Sequence, residues 1–306
     1  MPTKEDLIQK QSLPLEAKVR LTINRIREFY EHFDGDVYLS FSGGKDSTVL
    51  KHIIDNNFSG VPSVFIQTGQ EYPEVRRFAM AQPNVTVIYP KKSFSDIIDE
   101  YGYPLISKEQ AQYIYEYRRS NSEKLKALRL NGDEKGRFKI AKKWIPVLST
   151  DVKISHKCCT YLKKEPAKRY EQETGRKPIV ATMAQESTLR YNQWIRHGCN
   201  VLDSGRAVSK PLSIWTEQDV LRYAHENKIE LAPVYGDVVF DGIEFSTTGL
   251  PRTGCIACGF GVQLEGHPNR FERLAKSHPK QWDYVINRLG MGHALEAIGV
   301  KEYGKE

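Results

Sequence analysis

The chain has 306 residues, of which 40% are hydrophobic and 27% charged, and its net charge is +7. This composition is typical of a globular protein with a large core, either one elaborated α/β domain or a domain with an appendage. No apolar run approaches the roughly 20 residues that span a bilayer, and the N-terminus lacks a signal-peptide core. The five cysteines are unevenly spaced and do not suggest a secreted disulfide framework. The sequence therefore predicts a cytoplasmic protein without a membrane segment.

In chain order, hydrophobic residues first recur at steps of three and four, which predicts an amphipathic helix over 14–33. Strands then alternate with helices. The predicted strands cover 37–41, 63–67, 85–89 and 179–182, and the predicted helices cover 47–54, 73–81, 93–101 and 216–227. Such alternation is typical of an α/β fold whose parallel, twisted sheet carries helices on both faces. Ligands of these sheets bind beyond the carboxyl ends of the strands.

The remaining segments are less regular. Residues 105–145 look helical, polar and rich in tyrosine, with a break at Asn131-Gly132-Asp133, and they predict an insertion beside the sheet. An Asp241-Gly242 turn predicts a hairpin, and residues 269–298 predict short helices separated by proline and glycine.

The most informative segment joins the first predicted strand to the next helix, in the sequence Ser40-Phe41-Ser42-Gly43-Gly44-Lys45-Asp46-Ser47. Glycines in such a turn let the backbone approach an anion, and the first amides and the dipole of the helix favour negative charge there. Lys45 adds a mobile cation, and the hydroxyls of Ser42 and Ser47 add donors. The segment is therefore predicted to bind phosphate, with a solvated turn as the alternative.

The spacing differs from the Gly-x4-Gly-Lys-Ser/Thr of ordinary P-loops. It resembles the Ser-Gly-Gly-Lys-Asp-Ser loop of the ATP pyrophosphatase (PP-loop) superfamily, whose members use this loop to hold the β,γ-pyrophosphate of ATP. The resemblance implies that ATP binds here together with magnesium. It also implies a catalytic group of Lys45, Asp46 and Ser47, in which Lys45 neutralises the leaving pyrophosphate and Asp46 orients the loop or the ion.

Four of the five cysteines form two tight pairs, Cys158-Cys159 and Cys255-Ile256-Ala257-Cys258. Four thiolates in two pairs suit a tetrahedral metal ion such as zinc or an iron–sulfur cluster. Buried structural cysteines and a redox disulfide in the CxxC remain open as alternatives, although a disulfide leaves the tandem pair unexplained. Cys199 stands apart and is expected to serve packing.

The cysteine pattern resembles that of the adenylyl-sulfate reductases, in which a Cys-Cys pair and a distant CxxC together hold a 4Fe–4S cluster. Lys163 and Pro166 also fall where that family has Lys and Pro, whereas Leu162 replaces its Arg. The resemblance implies a 4Fe–4S cluster, with zinc as the alternative, on Cys158, Cys159, Cys255 and Cys258.

Two further segments resemble the phosphoadenosine phosphosulfate (PAPS) reductase family. Residues 65–74 are similar to its Asp-Thr-Gly-x-x-Phe/Tyr-Pro-Glu segment, with Gln67 replacing Asp. Residues 181–190 are similar to its Gly-x-Arg-x-x-Glu-Ser-x-x-Arg segment, with Ala181 and Met183 replacing Gly and Arg. These matches imply an adenine nucleotide alpha-hydrolase-like, Rossmann-type fold. The nucleotide-binding residues that they imply are Ser40, Phe41, Ser42, Gly43, Gly44, Lys45, Asp46, Ser47, Gln67, Thr68, Gly69, Glu186 and Arg190.

Two departures from that family bear on the reaction. No cysteine follows Cys258 in these 306 residues, whereas sulfonucleotide reductases attack the sulfate sulfur with a cysteine near the C-terminus. The loop is also complete, as in the small subunit of ATP sulfurylase. Both imply attack at the α-phosphorus of ATP, release of pyrophosphate and an adenylylated acceptor, for sulfur transfer. The alternatives are a sulfonucleotide reductase that uses an external thiol and a non-catalytic protein that binds nucleotides or nucleic acid. For Glu186 and Arg190 the alternative is a surface pair four residues apart.

The charge of one segment indicates which kind of macromolecule the protein binds. Residues 108–178 hold 19 Lys and Arg against 9 Asp and Glu, a local charge of +10, which indicates a surface for polyanions or a solvated helical surface. Its aromatic residues offer faces on which unpaired bases can stack, namely Tyr113, Tyr115, Tyr117 and Trp144. A nucleic-acid acceptor is therefore predicted. The resemblance to sulfurtransferases of DNA or tRNA implies a sulfur-donor protein, and we expect a homo-oligomer.

These features predict three parts of the chain. They are an N-terminal helix over 1–35, a PP-loop nucleotide-binding α/β domain over 36–230 with a basic helical insertion at about 105–178, and a C-terminal metal-binding and helical region over 231–306.

Overall fold

The computed structural model describes residues 2–202 and 205–304. The strands in these ranges are β1 (Val37–Phe41), β2 (Ser63–Ile66), β3 (Val85–Ile88), β4 (Leu105–Ile106), β5 (Lys177–Val180), β6 (Asn200–Val201), β7 (Val208–Ser209), β8 (Val238–Phe240), β9 (Phe245–Thr247) and β10 (Gly259–Phe260). The helices are α1 (Lys4–Gln11), α2 (Leu15–His32), α3 (Lys45–Asn57), α4 (Pro73–Ala81), α5 (Phe94–Tyr101), α6 (Lys108–Arg119), α7 (Glu123–Asn131), α8 (Glu165–Thr174), α9 (Thr188–His197), α10 (Glu217–Glu226), α11 (Arg270–Ser277), α12 (Pro279–Asp283) and α13 (Met291–Glu296). No helix in the described ranges is both long enough and apolar enough to cross a membrane.

The chain divides into two compact units. The first comprises Met1–Gln67, Tyr72–Tyr89 and Ala167–Thr253, and the second comprises Thr68–Glu71, Pro90–Pro166 and Gly254–Glu306. The predicted boundaries at 35 and 230 differ from this division. The predicted insertion as far as Pro166 and the C-terminal segment that holds the CxxC belong to the second unit, in which β4 pairs with β10, whereas residues 167–178 belong to the first unit.

The first unit is built on a six-stranded sheet with the strand order β3-β2-β1-β5-β7-β6. Every pair is parallel except β6 with β7, which is antiparallel. In the register, Leu39 of β1 lies opposite Ser63 on one side and Ile179 on the other. Leu39 and Ile179 are fully buried, as expected for central strands of a parallel sheet. The sheet confirms the predicted α/β fold class.

Helices α2 and α10 are joined to this unit by buried polar contacts. The Trp215 indole donates a hydrogen bond to the Thr22 hydroxyl at 2.8 Å, and Lys18 pairs with Asp219 at 2.7 Å. Asp219 also completes a capping box with Thr216, so α10 begins where the sequence predicts. One carboxylate thus fixes both the start of α10 and its contact with α2.

The second unit contains little sheet. Parallel strands β4 and β10 form a two-stranded sheet, and Tyr103 forms an isolated bridge with Ile154. Gly259 in β10 leaves no room for a side chain, since a Cβ would lie 2.6 Å from Cδ2 of Leu105. The C-terminal helices bury Phe271 in a separate apolar cluster.

Three predictions about elements need correction. Strand β5 covers Lys177–Val180 rather than 179–182. Residues 132–141 are irregular rather than helical, and a 3-10 turn follows at Lys142–Ser149. Strands β4, β6, β7 and β10 have two residues each, too short to show an alternation in the sequence.

Candidate functional site

The loop between β1 and α3 has the geometry of a phosphate-binding turn. Gly43 has a φ of +72°, and a Cβ there would lie 2.9 Å from the Cβ of Ala79 and 3.0 Å from the carbonyl oxygen of Val75. Only glycine fits this position. Gly44 is the N-cap of α3, so the first-turn amides from Lys45 onward lie at the loop without partners inside the helix.

Serine hydroxyls close the loop. The Oγ atoms of Ser42 and Ser47 lie 3.0 Å apart, and the Ser42 amide donates to Ser47 Oγ at 3.2 Å. The Ser47 hydroxyl lies 2.9 Å from the carbonyl of Gly44. Ser40 and Phe41 end β1, and the Phe41 side chain is buried in the core. Of the predicted loop residues, Ser42 to Ser47 therefore form one connected turn.

Lys45 is buried and held by three groups of the first unit. Its Nζ donates to the Pro251 carbonyl at 2.9 Å, pairs with the Glu217 carboxylate at 2.8 Å and lies 6.0 Å from the centre of the Tyr235 ring. The Tyr235 hydroxyl accepts a hydrogen bond from the Lys45 amide at 3.4 Å and contacts Thr253 Oγ1 at 2.5 Å. No spacing in the sequence marks these partners, because they lie far along the chain from Lys45.

The carboxylate of Asp46 is buried, and one of its oxygens accepts no hydrogen bond. Its Oδ1 is buried without a hydrogen-bond partner. Burial raises the pKa of Asp46 to about 6, Lys45 opposes this shift, and the carboxylates of Glu186 and Glu217 add to it. Mg²⁺ prefers carboxylate oxygens as ligands. The orphaned oxygen therefore fits the predicted role of Asp46 beside a magnesium ion.

The residues after β2 divide between the units. Gln67 ends the first segment of the first unit, whereas Thr68 and Gly69 begin the second unit. Thr68 is buried, and the carbonyl of Gln70 accepts a hydrogen bond from the amide of Ile256 at 2.8 Å. This segment therefore lies against the CxxC turn. A role of Thr68 and Gly69 in nucleotide binding stays a prediction.

Glu186 and Arg190 form the ion pair that their spacing allows. Glu186 also accepts a hydrogen bond from the Met183 amide at 2.7 Å, and the Ser187 hydroxyl caps α9. The Arg190 side chain is 38% exposed. The charge of Glu186 also raises the pKa of Asp46. A role of the pair in nucleotide binding stays a prediction.

The tandem cysteines occupy the first turn of a continuous helical stretch over 158–174. A helix N-terminus favours thiolates. The sulfurs of Cys158 and Cys159 lie 4.0 Å apart, and this contact lowers the pKa of Cys159 to about 5 while it raises that of Cys158. Lys108 and Lys163 lower the pKa of Cys159 further. Cys159 is therefore poised as a thiolate ligand.

The CxxC forms a turn that leads into β10. The amide of Cys258 donates to the carbonyl of Cys255 at 3.0 Å, and Arg270 donates to the carbonyl of Cys258 at 2.8 Å. Cys255 raises the pKa of Lys163, which in turn opposes the effect of burial on the pKa of Cys255. Lys163 therefore lies within the cysteine group, at the position where the family resemblance places a lysine.

The arrangement of the four sulfurs bears on which metal group they suit. Cys159, Cys258 and Cys255 all raise the pKa of Cys158 by their charge, so the two pairs are close to each other. Among the described residues, no three of these sulfurs lie within 4.8 Å of one another. A zinc ion needs sulfurs about 3.8 Å apart, given a Zn–S distance of about 2.3 Å. A 4Fe–4S cluster holds its thiolates farther apart, because each binds a different iron. The 4.0 Å separation of the Cys158 and Cys159 sulfurs matches the zinc spacing, whereas the lack of three described sulfurs within 4.8 Å matches the wider spacing of a cluster, so the four thiols suit either group.

The basic segment 108–178 is only partly a surface. The Arg118 guanidinium donates to three backbone carbonyls at 2.5, 2.5 and 2.9 Å, and that of Arg129 lies 4.2 Å from the centre of the Tyr113 ring. Tyr113 and Trp144 are only 7% and 8% exposed. The prediction that these two rings offer free faces to bases is wrong, because they pack in the interior.

Comparison with known proteins supports the family resemblance. Residues 36–104, which contain the loop, match the phosphoadenosine phosphosulfate reductase domain. An uncharacterized protein of Methanocaldococcus jannaschii is 24% identical over 297 residues. The match covers 94% of this chain but 57% of that protein, so the chain spans little more than half the length of this curated relative.

Two solved structures are similar to the chain at low identity. A PAPS reductase from Candida auris, in a phosphate complex, is 18% identical, with 76% of this chain and 91% of that chain covered and a TM-score of 0.40. The U34-tRNA thiolase NcsA from Methanococcus maripaludis, with its 4Fe–4S cluster, is 15% identical, with 96% and 81% covered and a TM-score of 0.36.

Proposed function

We propose that this chain binds ATP at the loop between β1 and α3 and cleaves it between the α- and β-phosphates. The loop lies within residues 36–104, which match the PAPS reductase domain. The observation that carries this proposal is the loop itself. Gly43 has a left-handed conformation with no room for a Cβ, Gly44 caps α3, and the Lys45 amide and side chain are held beside them. The backbone amides of a helix start and an ammonium group are the donors that a pyrophosphate requires.

The reaction begins with attack of an acceptor oxygen on the α-phosphorus. The bond from that phosphorus to the β-phosphate oxygen breaks, pyrophosphate leaves with the electron pair, and the acceptor carries AMP. The first-turn amides of α3 and the Lys45 ammonium stabilise the charge that develops on pyrophosphate. A hydrosulfide then displaces AMP, which leaves with the acceptor oxygen, so this oxygen is replaced by sulfur.

Two inorganic groups complete the proposal. Asp46 would hold magnesium through its unpartnered Oδ1. The two cysteine pairs would hold a 4Fe–4S cluster, which supplies redox-active iron when bound. Lys163 offsets the negative charge of the thiolates, and the Arg270 contact fixes the carbonyl of Cys258.

Product analysis tests the reaction. The protein is incubated with magnesium, sulfide, unfractionated tRNA and ATP labelled at the α- and γ-phosphates. We expect AMP and pyrophosphate in equal amounts and loss of both in Lys45→Ala, whereas Arg20→Ala, on an exposed part of α2, serves as the charge-matched control. ADP and phosphate as the products would contradict the proposal.

A sulfonucleotide reductase is the second candidate, because the PAPS reductase domain match includes the loop. It would release sulfite from adenylyl sulfate or PAPS with an external thiol such as reduced thioredoxin. Sulfite formation without pyrophosphate formation from ATP would select this candidate.

A cation–aromatic surface in the second unit favours a nucleic-acid acceptor. Lys92 lies 5.3 and 5.2 Å from the ring centres of Tyr101 and Tyr161. Lys157 and Arg119 lie 5.4 and 5.5 Å from the ring centre of a further tyrosine, Tyr115. Cations interleaved with rings suit a phosphate backbone with unpaired bases. Because Lys157 directly precedes the tandem cysteines, an acceptor bound here would lie beside them.

A gel-shift titration tests this surface. Reversing both charges in Arg119→Glu with Lys157→Glu should abolish tRNA retention, whereas the equally charged control Lys124→Glu with Lys135→Glu, at exposed positions of the same unit, should weaken it only slightly. Equal loss in both variants would reject the surface as a specific contact. Unchanged iron content in the first variant would show that the cysteine region is intact.

A further inference from the structure

The segment 251–253 is fixed against the loop of the first unit at both ends. The carbonyl of Pro251 accepts a hydrogen bond from Lys45 Nζ at 2.9 Å. The Thr253 hydroxyl lies 2.5 Å from that of Tyr235, which itself accepts from the Lys45 amide. The backbone on either side of Arg252 is therefore held at the loop, although no sequence motif marks this position.

The guanidinium of Arg252 has no ion-pair partner among the described residues. It is exposed, and in the part of the chain that the structure describes no carboxylate lies within ion-pair distance of it. Its charge acts on Asp46 and Tyr235, whose pKa values it lowers against the larger effect of burial. Because Pro251 and Thr253 on either side are held at the loop, Arg252 extends its exposed side chain from the loop, with no ion-pair partner among the described residues.

Lys45 alone is poorly placed to neutralise a polyphosphate. Its ammonium is buried and already paired with Glu217. A triphosphate carries several negative charges, whereas the loop offers amides and one committed cation. A guanidinium adds a planar fork of donors that matches two phosphate oxygens at once.

We propose that Arg252 binds the β- and γ-phosphates of the nucleotide as a second cation beside Lys45, and so adds to the preference for nucleoside triphosphates over monophosphates. This assignment rests on the proposed function. The ligand class is a nucleoside polyphosphate, because a planar fork of donors beside the loop matches phosphate oxygens.

Calorimetric titration of the full chain with ATP, ADP and AMP tests the assignment. Arg252→Gln should weaken ATP binding about tenfold to a hundredfold, the loss expected for hydrogen bonds to a charged group, and change AMP binding less than about twofold. Arg252→Lys should recover part of the affinity, because it restores the charge without the fork. Arg27→Gln, which removes the same charge from an exposed site on α2, should bind ATP as the wild type does.

The outcomes separate this assignment from the proposed function. Wild-type binding of ATP with no loss in Arg252→Gln, or an equal loss in Arg27→Gln, would overturn the assignment alone. Failure of the wild type to bind ATP would overturn the proposed function and the assignment together. Equal melting temperatures of the variants and the wild type are expected, since Arg252 has no partner within the described residues whose loss would destabilise the fold.

Discussion

The ion pair between Lys45 and Glu217 opposes nucleotide binding and can be removed by one substitution. Nζ of Lys45 lies 2.8 Å from Oε1 of Glu217. The side chain of Lys45 is 7% exposed and that of Glu217 is 46% exposed. Phosphate oxygens must compete with the carboxylate for the same ammonium, and the carboxylate also repels them. Glu217→Gln should therefore tighten ATP binding.

The size of the effect follows from the exposure of Glu217. A pair with one half-exposed partner is screened by solvent and contributes about 0.2–1 kcal/mol. Removing this competition corresponds to about 1.4-fold to fivefold tighter binding. Raising the salt concentration should shrink the difference between variant and wild type, because screening weakens exposed charges.

Calorimetry with magnesium and ATP measures this difference directly. Glu226→Gln is the matched control, because it removes the same charge from the same helix, at a carboxylate that is 44% exposed and paired with Arg222. Equal affinity of wild type and Glu217→Gln would refute the competition. Weaker binding in Glu217→Gln would show instead that the carboxylate helps to hold the metal ion of the nucleotide.

Three further predictions concern stability and metal content. Folding raises the pKa of Asp46 from 3.8 to about 6, so the unfolded chain loses this proton at lower pH than the folded protein does. The free energy of unfolding therefore falls as the pH rises from about 4 to about 6. In thermal melts, Asp46→Asn should be more stable than the wild type at pH 7.5, by about 3 kcal/mol, and equally stable near pH 4. Arg118→Ala leaves three part-buried carbonyls without their donor and should cost about 1–3 kcal/mol in urea denaturation, where an unchanged midpoint would contradict a structural role of Arg118. Cys258→Ser should lower the iron content and charge-transfer absorbance of anaerobically purified protein, whereas stoichiometric zinc without iron in the wild type would contradict a cluster.

The loop and its flanking elements could be predicted because their signals are local. An apolar run, two glycines and helix-forming residues follow one another within residues 37–57, and the structure has β1, the turn and α3 there. Capping chemistry is equally local, and α10 follows its N-cap Thr216, the first residue of the helix predicted over 216–227. Where neighbouring residues decide the structure, sequence and structure agree.

The contacts of the loop could not be predicted because they join distant parts of the chain. Nothing near Glu217 or Tyr235 indicates that either residue contacts Lys45. For Trp144 the prediction itself is wrong. The lysines beside it in the sequence indicate an exposed ring, whereas the ring is buried in the structure. Packing of this kind depends on the whole fold.

The central claim is that the loop recognises the pyrophosphate part of ATP, and the most direct measurement is a calorimetric comparison of ATP with AMP on the wild type and Lys45→Ala. The wild type should bind ATP at least about tenfold more tightly than AMP, because Lys45 supplies a charged hydrogen bond worth about 1.5–3 kcal/mol to the phosphates. Lys45→Ala should lose about tenfold of this preference, the share that its own charged hydrogen bond supplies, without losing affinity for AMP. Equal affinity of the wild type for ATP and AMP would contradict the account.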